Sequence, residues 1–258
     1  MALGPEQAQA AAAGLKAMMP IGVPGGSATP AAGRPFLDYL LSTLADAGCD
    51  EVGLVIGPEH DAVRIRYERE APPSRVRLQV LVQAHPIGTA NAVLACEAWA
   101  GDDPFIVLNG DNLYPVDALR DLAAIETPGL LAFERDDLVR SSNIPAERVA
   151  AFALIRVDAD GWLTEIVEKP DPATMASVGA DALVSMNCWR FDRAIFGACR
   201  DVPRSARGEF ELPQAVALAI ARGLRLRAVP ARGPVLDLSR QSDVGEVSRR
   251  LASILPRP

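Results

Sequence analysis

The feature that most constrains the fold of this chain is a repeated change of hydrophobic periodicity in its first half. Apolar residues recur with helical spacing over residues 35–50, and a short apolar run typical of a buried strand follows at 51–57. The same change returns at 60–70 and 75–83, and again at 88–101 and 104–108. Because parallel strands need long crossover connections, usually helices, this alternation predicts a parallel sheet with helices on both faces.

From residue 129 onward the pattern changes mainly to strands, in segments 129–134, 150–170 and 182–192, with Asp160-Gly161 as a hairpin turn. A helix is predicted at 210–223, then strands at 225–230 and 234–239 and a terminal helix at 243–255. The predicted class is α/β: a Rossmann-like mixed, mostly parallel sheet flanked by helices in a three-layer sandwich. Residues 1–258 form one domain with halves at about 14–128 and 129–258.

Composition and charge exclude several classes of protein. The chain has 49% hydrophobic and 23% charged residues, which is ordinary for a globular domain. A net charge of -7 argues against nucleic acid or an anionic membrane as partner. No run approaches the roughly 18 apolar residues of a membrane span, and no secretory leader pattern is seen. The four cysteines are too dispersed for a zinc cluster or disulfide framework, so we expect reduced thiols and a cytoplasmic location.

Two acidic residues stand at or within strand-like runs. Asp111 follows the run 105–108 in Asn-Gly-Asp-Asn, and ligands of open α/β sheets bind outside the carboxyl ends of strands. An Asx turn or a helix N-cap would equally explain it. Asp237 lies between Leu236 and Leu238, where burial is costly without a partner, although a solvent-exposed strand face would also accommodate it. Two carboxylates without His or Cys suit Mg²⁺.

Two further segments carry candidate binding residues. Glu168-Lys169 ends a strand before Pro170, either as a solvated ion pair or as a contact to substrate hydroxyls and phosphate. Gln83 ends another strand. Gly88-Thr89 begins a helix, with Thr89 as a predicted N-cap, and free backbone N–H groups there could serve a ligand.

In their order and spacing, the motifs of this chain resemble those of the sugar-phosphate nucleotidyltransferases, the nucleoside-diphosphate-sugar pyrophosphorylases. The resemblance extends from about Gly14 to the C-terminal helix. Each motif alone is weak, but the series is specific. The motifs are KAMMPIG (16–22), GRPFLDYLL (33–41), Gln83 with PIGTANA (86–92), LNGDN (108–112), VEKP (167–170), SMNCWRFD (185–192), RGEFELPQAV (207–216) and VLDLS (235–239).

The resemblance implies transfer of a nucleoside monophosphate from an NTP to a sugar 1-phosphate, with release of pyrophosphate. It implies that Asp111 and Asp237 bind Mg²⁺. It also implies that Gln83 and Gly88 bind the base, with Thr89 beside them. It implies that Glu168 and Lys169 bind the sugar and its phosphate and that Asn187 contacts the sugar. Lys16 would bind the phosphates of the NTP. It also makes residues 14–128 the nucleotide-binding half and 129–258 the sugar-phosphate-binding half. The implied partners are an NTP and a sugar 1-phosphate. A homo-oligomer is also possible for a member of this family.

The chain departs from the family at its start. The family opens with a hydrophobic strand and a Gly-rich loop bearing a Thr-Arg pair, whereas residues 1–13 are Ala-rich and interrupted by Pro5, Glu6, Gln7 and Gln9. We expect residues 1–13 to form a helix or loop, the central strand to be missing, and the 258 residues alone to have little activity. The preferred explanation is an internal or miscalled start at Met1.

Other functions remain to be weighed against this one. A catalytically silent nucleotide- or sugar-binding subunit on the same fold would also fit a missing loop. A metal-dependent glycosyltransferase is disfavoured, because Asn112 stands where a second acid of an Asp-x-Asp pair would be. A nicotinamide-dependent dehydrogenase is disfavoured because no G-x-G-x-x-G motif follows a strand.

Overall fold

A computed structural model describes residues 16–21, 33–150, 152–168, 170–171, 173–174 and 182–258. The predictions for residues 1–13 and for Lys169 therefore lie outside the described residues. The helices are α1 (Phe36–Ala47), α2 (Asp61–Ile65, continued by a π-helix at Arg66–Glu70), α3 (Thr89–Leu94), α4 (Glu97–Ala100), α5 (Val116–Ala124), α6 (Arg135–Ser141), α7 (Ala146–Val149), α8 (Ala194–Asp201), α9 (Leu212–Ala221) and α10 (Val244–Leu251).

The strands are β1 (Pro20–Ile21), β2 (Arg34–Pro35), β3 (Glu51–Ile56), β4 (Arg77–Val82), β5 (Phe105–Val107), β6 (Asn112–Leu113), β7 (Gly129–Glu134), β8 (Ala153–Val157), β9 (Leu163–Val167), β10 (Leu183–Phe191), β11 (Arg227–Ala231) and β12 (Leu236–Asp237). The largest sheet has the order β11-β7-β10-β8-β9, and β5 also pairs with β10. Three two-stranded ladders, β1-β2, β3-β4 and β6-β12, complete the pairing of the described strands.

Strand β7 shows why the fold has three layers. Leu131 and Phe133 join one hydrophobic cluster, which also contains residues of α1 and α5. Leu130 and Ala132 join a second cluster with residues of α8 and α9. Because alternate side chains of a strand point to opposite faces, the two clusters cover the two faces of the sheet. The predicted mixed sheet flanked by helices is confirmed.

The balance of strand directions differs from the prediction. Among the described pairs only β3-β4 and β7-β11 are parallel, whereas β10 runs antiparallel to β5, β7 and β8. Helical crossovers join strands in the first half, whereas a short turn around Gly161 joins β8 to β9 in the second half, and a short turn gives antiparallel neighbours. The sheet is therefore mixed, without a parallel majority.

One local prediction of a helix is confirmed and another is corrected. Helix α1 ends at Ala47 because Gly48 adopts a left-handed conformation with φ of 97°. The helix predicted over 88–101 is instead divided into α3 and α4 by a turn at Ala95-Cys96. Within the described part of the chain, no helix has the length and apolar character needed to cross a membrane.

Candidate active site

A two-residue ladder brings the predicted metal-binding acids together. Strand β6 begins one residue after Asp111, and in its pairing with β12 Asn112 faces Asp237. The N–H of Leu238 also donates to the carbonyl oxygen of Asp111 at 2.9 Å. Helix α5 is capped by Pro115, so Asp111 is not its N-cap. Asp237 is only 3% exposed, which rules out the solvent-exposed strand face.

The backbone of Asp237 is clamped by the side chain of Asn143. The Asn143 amide nitrogen donates to the Asp237 carbonyl oxygen at 2.8 Å, and its amide oxygen accepts from the Asp237 N–H at 2.8 Å. The side-chain oxygen Oδ1 of Asp237 accepts from the N–H of Ser239 at 2.6 Å. Asn143 thus takes the place of a second neighbouring strand beside β12 and fixes the direction of the carboxylate.

A buried arginine lies behind Asp237. Arg148 is 8% exposed, and its Nη1 donates to both carboxylate oxygens of Asp243, at 2.9 and 3.1 Å. Its Nε lies 4.0 Å from Oδ2 of Asp237. Nε and Nη2 of Arg148 are buried and donate no hydrogen bond within the described residues. A buried carboxylate needs a nearby cation, and here the guanidinium supplies that charge.

Electrostatics connect Lys16 with the same site. Burial raises the pKa of Asp111, the negative charge of Asp237 raises it further, and the ammonium of Lys16 lowers it. Lys16 is exposed at the start of a 3₁₀ turn, and the next residue, Ala17, lies beside Gly110. The predicted phosphate-binding lysine therefore lies close enough to Asp111 to act on its ionisation.

Tyr114 links the acids to the predicted sugar-binding asparagine. Its hydroxyl donates to the carbonyl oxygen of Met186 at 2.6 Å. The next residue, Asn187, has a φ of 57° where the pairing of β10 with β7 shifts register. Asparagine tolerates this left-handed conformation better than most residues. Its Oδ1 is buried and accepts no hydrogen bond within the described part of the chain, so an acceptor is left for a ligand hydroxyl.

Gln83, Gly88 and Thr89 form a second group, and among the described residues no hydrogen bond or ion pair joins this group directly to the acids. Nε2 of Gln83 donates to the carbonyl oxygen of Gly88 at 3.0 Å. Gly88 has a φ of 131° and lies against the backbone of Phe210, where no side chain would fit. The predicted N-cap role of Thr89 is wrong: Gly88 caps α3, and the Thr89 hydroxyl accepts from the Leu212 N–H at 2.8 Å.

Glu168 lies at the end of β9 with an exposed side chain. Its negative charge contributes to the raised pKa of Arg207, after larger effects from Glu211 and Glu209. Arg207 in turn donates to Glu211 at 2.7 Å. Glu168 therefore belongs to a charged surface beside the N-terminus of α9.

Four residues of this site were not predicted from the sequence: Tyr114, Asn143, Arg148 and Asp243. Asn143 contacts a residue 94 positions away, and a single polar residue in a loop carries no local signal of such a partner. Arg148 adjoins the apolar run that begins at Val149, and a charge beside such a run is the one signal that could have suggested a buried cation.

The acids suit a hard divalent cation that keeps much of its own shell. No group of three or more His, Cys, Asp or Glu side chains able to hold a metal is found among the described residues. Asp111 and Asp237 supply two carboxylates and no nitrogen or sulfur ligand. Mg²⁺ is usually bound in this way, by one or two carboxylates together with waters and substrate phosphates.

Comparisons with known proteins find the same family that the sequence motifs resemble. The family model for nucleotidyl transferases matches residues 27–252. The chain is 29% identical over 229 residues to glucose-1-phosphate thymidylyltransferase of Streptomyces antibioticus, covering 88% of this chain and 60% of that protein. It is 26% identical over 223 residues to low-salt glycan biosynthesis nucleotidyltransferase Agl11 of Haloferax volcanii, covering 85% of this chain and 58% of that protein. The chain thus spans about three fifths of the length of these two relatives.

Solved structures show the same fold. UTP-bound UGPase from Acinetobacter baumannii superposes with a TM-score of 0.71 at 16% identity, covering 94% of this chain and 87% of that one. A putative glucose-1-phosphate thymidylyltransferase from Bacillus anthracis gives a TM-score of 0.70 at 20% identity, covering 93% and 88%. Since the family model covers most of the sequence, the chain belongs to the nucleotidyl transferase family.

Proposed function

We propose that this protein transfers a nucleoside monophosphate from an NTP to a sugar 1-phosphate, giving an NDP-sugar and pyrophosphate. The observation that carries the proposal is the proximity of Asp111 and Asp237 at the β6-β12 ladder, where Asn112 pairs with Asp237 and the negative charge of Asp237 acts on Asp111. The negative charge of Asp237 raises the pKa of Asp111, and two carboxylates this close are suited to a divalent cation. When bound there, Mg²⁺ would neutralise charge on the reacting phosphates.

The other candidate residues divide into two groups around these acids. On the nucleotide side, Gln83 and the Gly88-Thr89 turn bind the base. The turn is rigid because Gly88 packs against Phe210 and its carbonyl oxygen accepts from Gln83. Lys16 binds NTP phosphates, which is supported by its electrostatic effect on Asp111.

On the sugar side, Asn187 presents a buried amide oxygen to a sugar hydroxyl. Glu168 accepts from further hydroxyls, and Lys169 binds the phosphate of the sugar 1-phosphate. Arg207 adds positive charge beside Glu168. This side is supported by the resemblance of the Glu168-Lys169-Pro170 segment to the family motif.

The chemistry needs no general base from the protein. The second pKa of a phosphate monoester is about 6, so the attacking oxygens are already largely anionic near neutral pH. Positioning of the two substrates and neutralisation of charge then carry the transfer. Asp111 and Asp237 act through their fixed carboxylates, and Arg148 and Asn143 keep Asp237 in place. The buried thiols of Cys96, Cys188 and Cys199 suit a reducing compartment, and we propose the cytoplasm as the location.

The decisive test is the pair of substitutions Asp111→Asn and Asp237→Asn. Each preserves the shape of the side chain and removes one negative charge, so we expect the fold to remain and turnover to fall by about 100-fold or more. Pyrophosphate release measures turnover, and a Mg²⁺ titration followed by calorimetry measures the metal site directly. Asp117→Asn, at an exposed position on α5, is the matched control. Wild-type turnover in both variants would refute the metal assignment.

Lys169→Ala tests the sugar-phosphate side separately. Loss of one charged hydrogen bond should weaken binding of the sugar 1-phosphate by about 1.5–3 kcal/mol and leave NTP binding almost unchanged. Calorimetry with each ligand alone distinguishes the two effects. An unchanged affinity for the sugar 1-phosphate would contradict the role of Lys169, and binding of both substrates without pyrophosphate release would favour a silent subunit.

A further inference from the structure

The two carboxylate oxygens of Asp237 have different surroundings. Oδ1 accepts from the N–H of Ser239 at 2.6 Å. Oδ2 accepts no hydrogen bond within the described residues, and Nε of Arg148, the cationic atom that approaches it, lies 4.0 Å away. This distance is beyond the range of a hydrogen bond. Oδ2 is therefore the oxygen that Asp237 offers to a metal ion.

Arg148 has the donors to close that gap. Its Nε and Nη2 are buried and donate no hydrogen bond to any described residue. Unpaired buried donors are costly, so the guanidinium would gain by reaching a second carboxylate. The backbone of Asp237 is held by Asn143 on one side and by β6 on the other. The closing movement would therefore have to come from the side chain of Arg148.

Asp243 holds the other end of the guanidinium. Both of its carboxylate oxygens accept from Nη1 of Arg148, at 2.9 and 3.1 Å. The N–H of Arg240 donates to Oδ2 of Asp243 at 2.9 Å. Val244, the next residue, is buried in the hydrophobic cluster that also contains residues of α1 and α5. Asp243 is thus fixed by the turn before it and by the core after it, and it anchors the guanidinium.

We propose that Asp243 is a positioning residue of the metal site. By holding Arg148 at Nη1, it keeps the guanidinium from bonding to Oδ2 of Asp237, and that oxygen stays free for a divalent cation. At 4.0 Å the guanidinium still offsets the charge of the buried carboxylate without occupying it. Asp243 does not join Asp111 and Asp237 as a third ligand, since no such group of three is found in the described part of the chain. The inference rests on the proposed function, because it takes Asp237 as a metal ligand.

The test is the substitution Asp243→Asn. The amide keeps an oxygen for the N–H of Arg240, so the turn should remain, but a neutral group holds Nη1 of Arg148 less strongly. Arg148 should then bond to Oδ2 of Asp237. We expect the affinity for Mg²⁺, measured by calorimetry, to fall by about 10-fold or more, because a charged hydrogen bond now competes for that oxygen. Asp243→Ser is a second variant with the same expectation.

Two further variants show whether the loss requires Arg148. The double variant Arg148→Met/Asp243→Asn removes the competing cation together with its anchor, and neutral replacement of a buried pair commonly preserves the fold. It should recover most of the affinity lost in Asp243→Asn. Asp117→Asn is the matched control, because it removes one carboxylate from an exposed Asp-Arg pair and should leave the Mg²⁺ affinity unchanged.

A second measurement follows Arg148 directly in metal-free protein. The NMR resonance of its Nε–H is identified by its absence in Arg148→Lys. In Asp243→Asn this resonance should move downfield and exchange more slowly with water, because Nε–H gains an acceptor. Adding Asp237→Asn should reverse part of that change, since the charged acceptor is lost.

The outcomes separate this inference from the proposed function. Unchanged Mg²⁺ affinity in both Asp243 variants would overturn the inference. A fall in affinity with the Nε–H resonance unmoved would overturn it too, because Asp243 would then act only as a distant charge. If the wild-type protein bound no Mg²⁺, the proposed function would fail, whereas the resonance in metal-free protein would still decide whether Asp243 holds Arg148 away from Asp237.

Discussion

Asn143→Ala is expected to be among the most damaging substitutions outside the hydrophobic core, although Asn143 is neither charged nor fully buried. Its amide makes two hydrogen bonds of 2.8 Å to the two backbone groups of Asp237. Asp237 is buried on the side away from β6, so no other part of the described chain replaces these bonds. Alanine would leave one N–H and one carbonyl oxygen without partners.

The magnitude follows from those two groups. An unpaired buried backbone group costs about 1–3 kcal/mol, so two groups cost about 2–6 kcal/mol. We expect the lower half of that range, because Asn143 is partly exposed and water can enter the space left by its amide. For a chain of this size a loss of about 3 kcal/mol lowers the Tm by roughly 6–12 °C.

The assay is guanidinium unfolding at pH 7 with Asp117→Ala as control, because the Asp117 carboxylate is exposed and, among the described residues, forms an ion pair only with Arg120 on the same helix. The control should lie within about 0.5 kcal/mol of wild type. Since the clamp also directs the carboxylate of Asp237, the Tm increase caused by Mg²⁺ should shrink in Asn143→Ala. A loss below about 1 kcal/mol together with an unchanged Mg²⁺ effect would refute the clamp.

Two further predictions concern Gly88 and Asp111. Gly88→Ala should destabilise the protein by roughly 2–5 kcal/mol in thermal unfolding, because its φ of 131° is nearly exclusive to glycine and a Cβ would overlap the backbone of Phe210. For Asp111 the pKa in the folded protein is raised, so the protonated carboxyl favours the folded state. The resulting contribution of Asp111 to stability is complete below its usual pKa of 3.8 and is lost as the pH rises through the raised pKa. In metal-free protein, Asp111→Asn should therefore gain stability over wild type as the pH rises from about 3.5 to 7, measured by urea unfolding; a pH-independent difference would contradict the raised pKa.

The sequence predicts well those features that short stretches determine by themselves. Strand β3 matches the predicted 51–57 within one residue and helix α1 matches the predicted 35–50 within three residues, and the end of the helix follows from Gly48. Asp111 and Asp237 were placed at or within strands by the same local reasoning, and the β6-β12 ladder brings them together. Periodicity is a local property, so it predicts elements and the residues at their ends.

Features that depend on distant partners could not be predicted in this way. Asn143 and Arg148 acquire their roles from Asp237 and Asp243, about 95 positions later in the chain. The directions of the strands around β10 depend likewise on which neighbours it takes, and β10 pairs with three strands from different parts of the sequence. A pattern of apolar residues shows that a strand has a buried face without showing which strand lies beside it.

The disagreement between local pattern and burial is most informative at β3 and β5. Both have sequences suited to the interior of a sheet, but most of their apolar residues are only partly buried, whereas the first five residues of β7 are fully buried. Strand β4, which pairs with β3, is also partly exposed. Among the described strands, β7 pairs on both edges and β3 and β5 on one edge each, so burial here follows the number of neighbours rather than the apolar pattern. Asp111 lies four residues beyond the end of β5, so the order of that strand contributes to how firmly one half of the acidic pair is held.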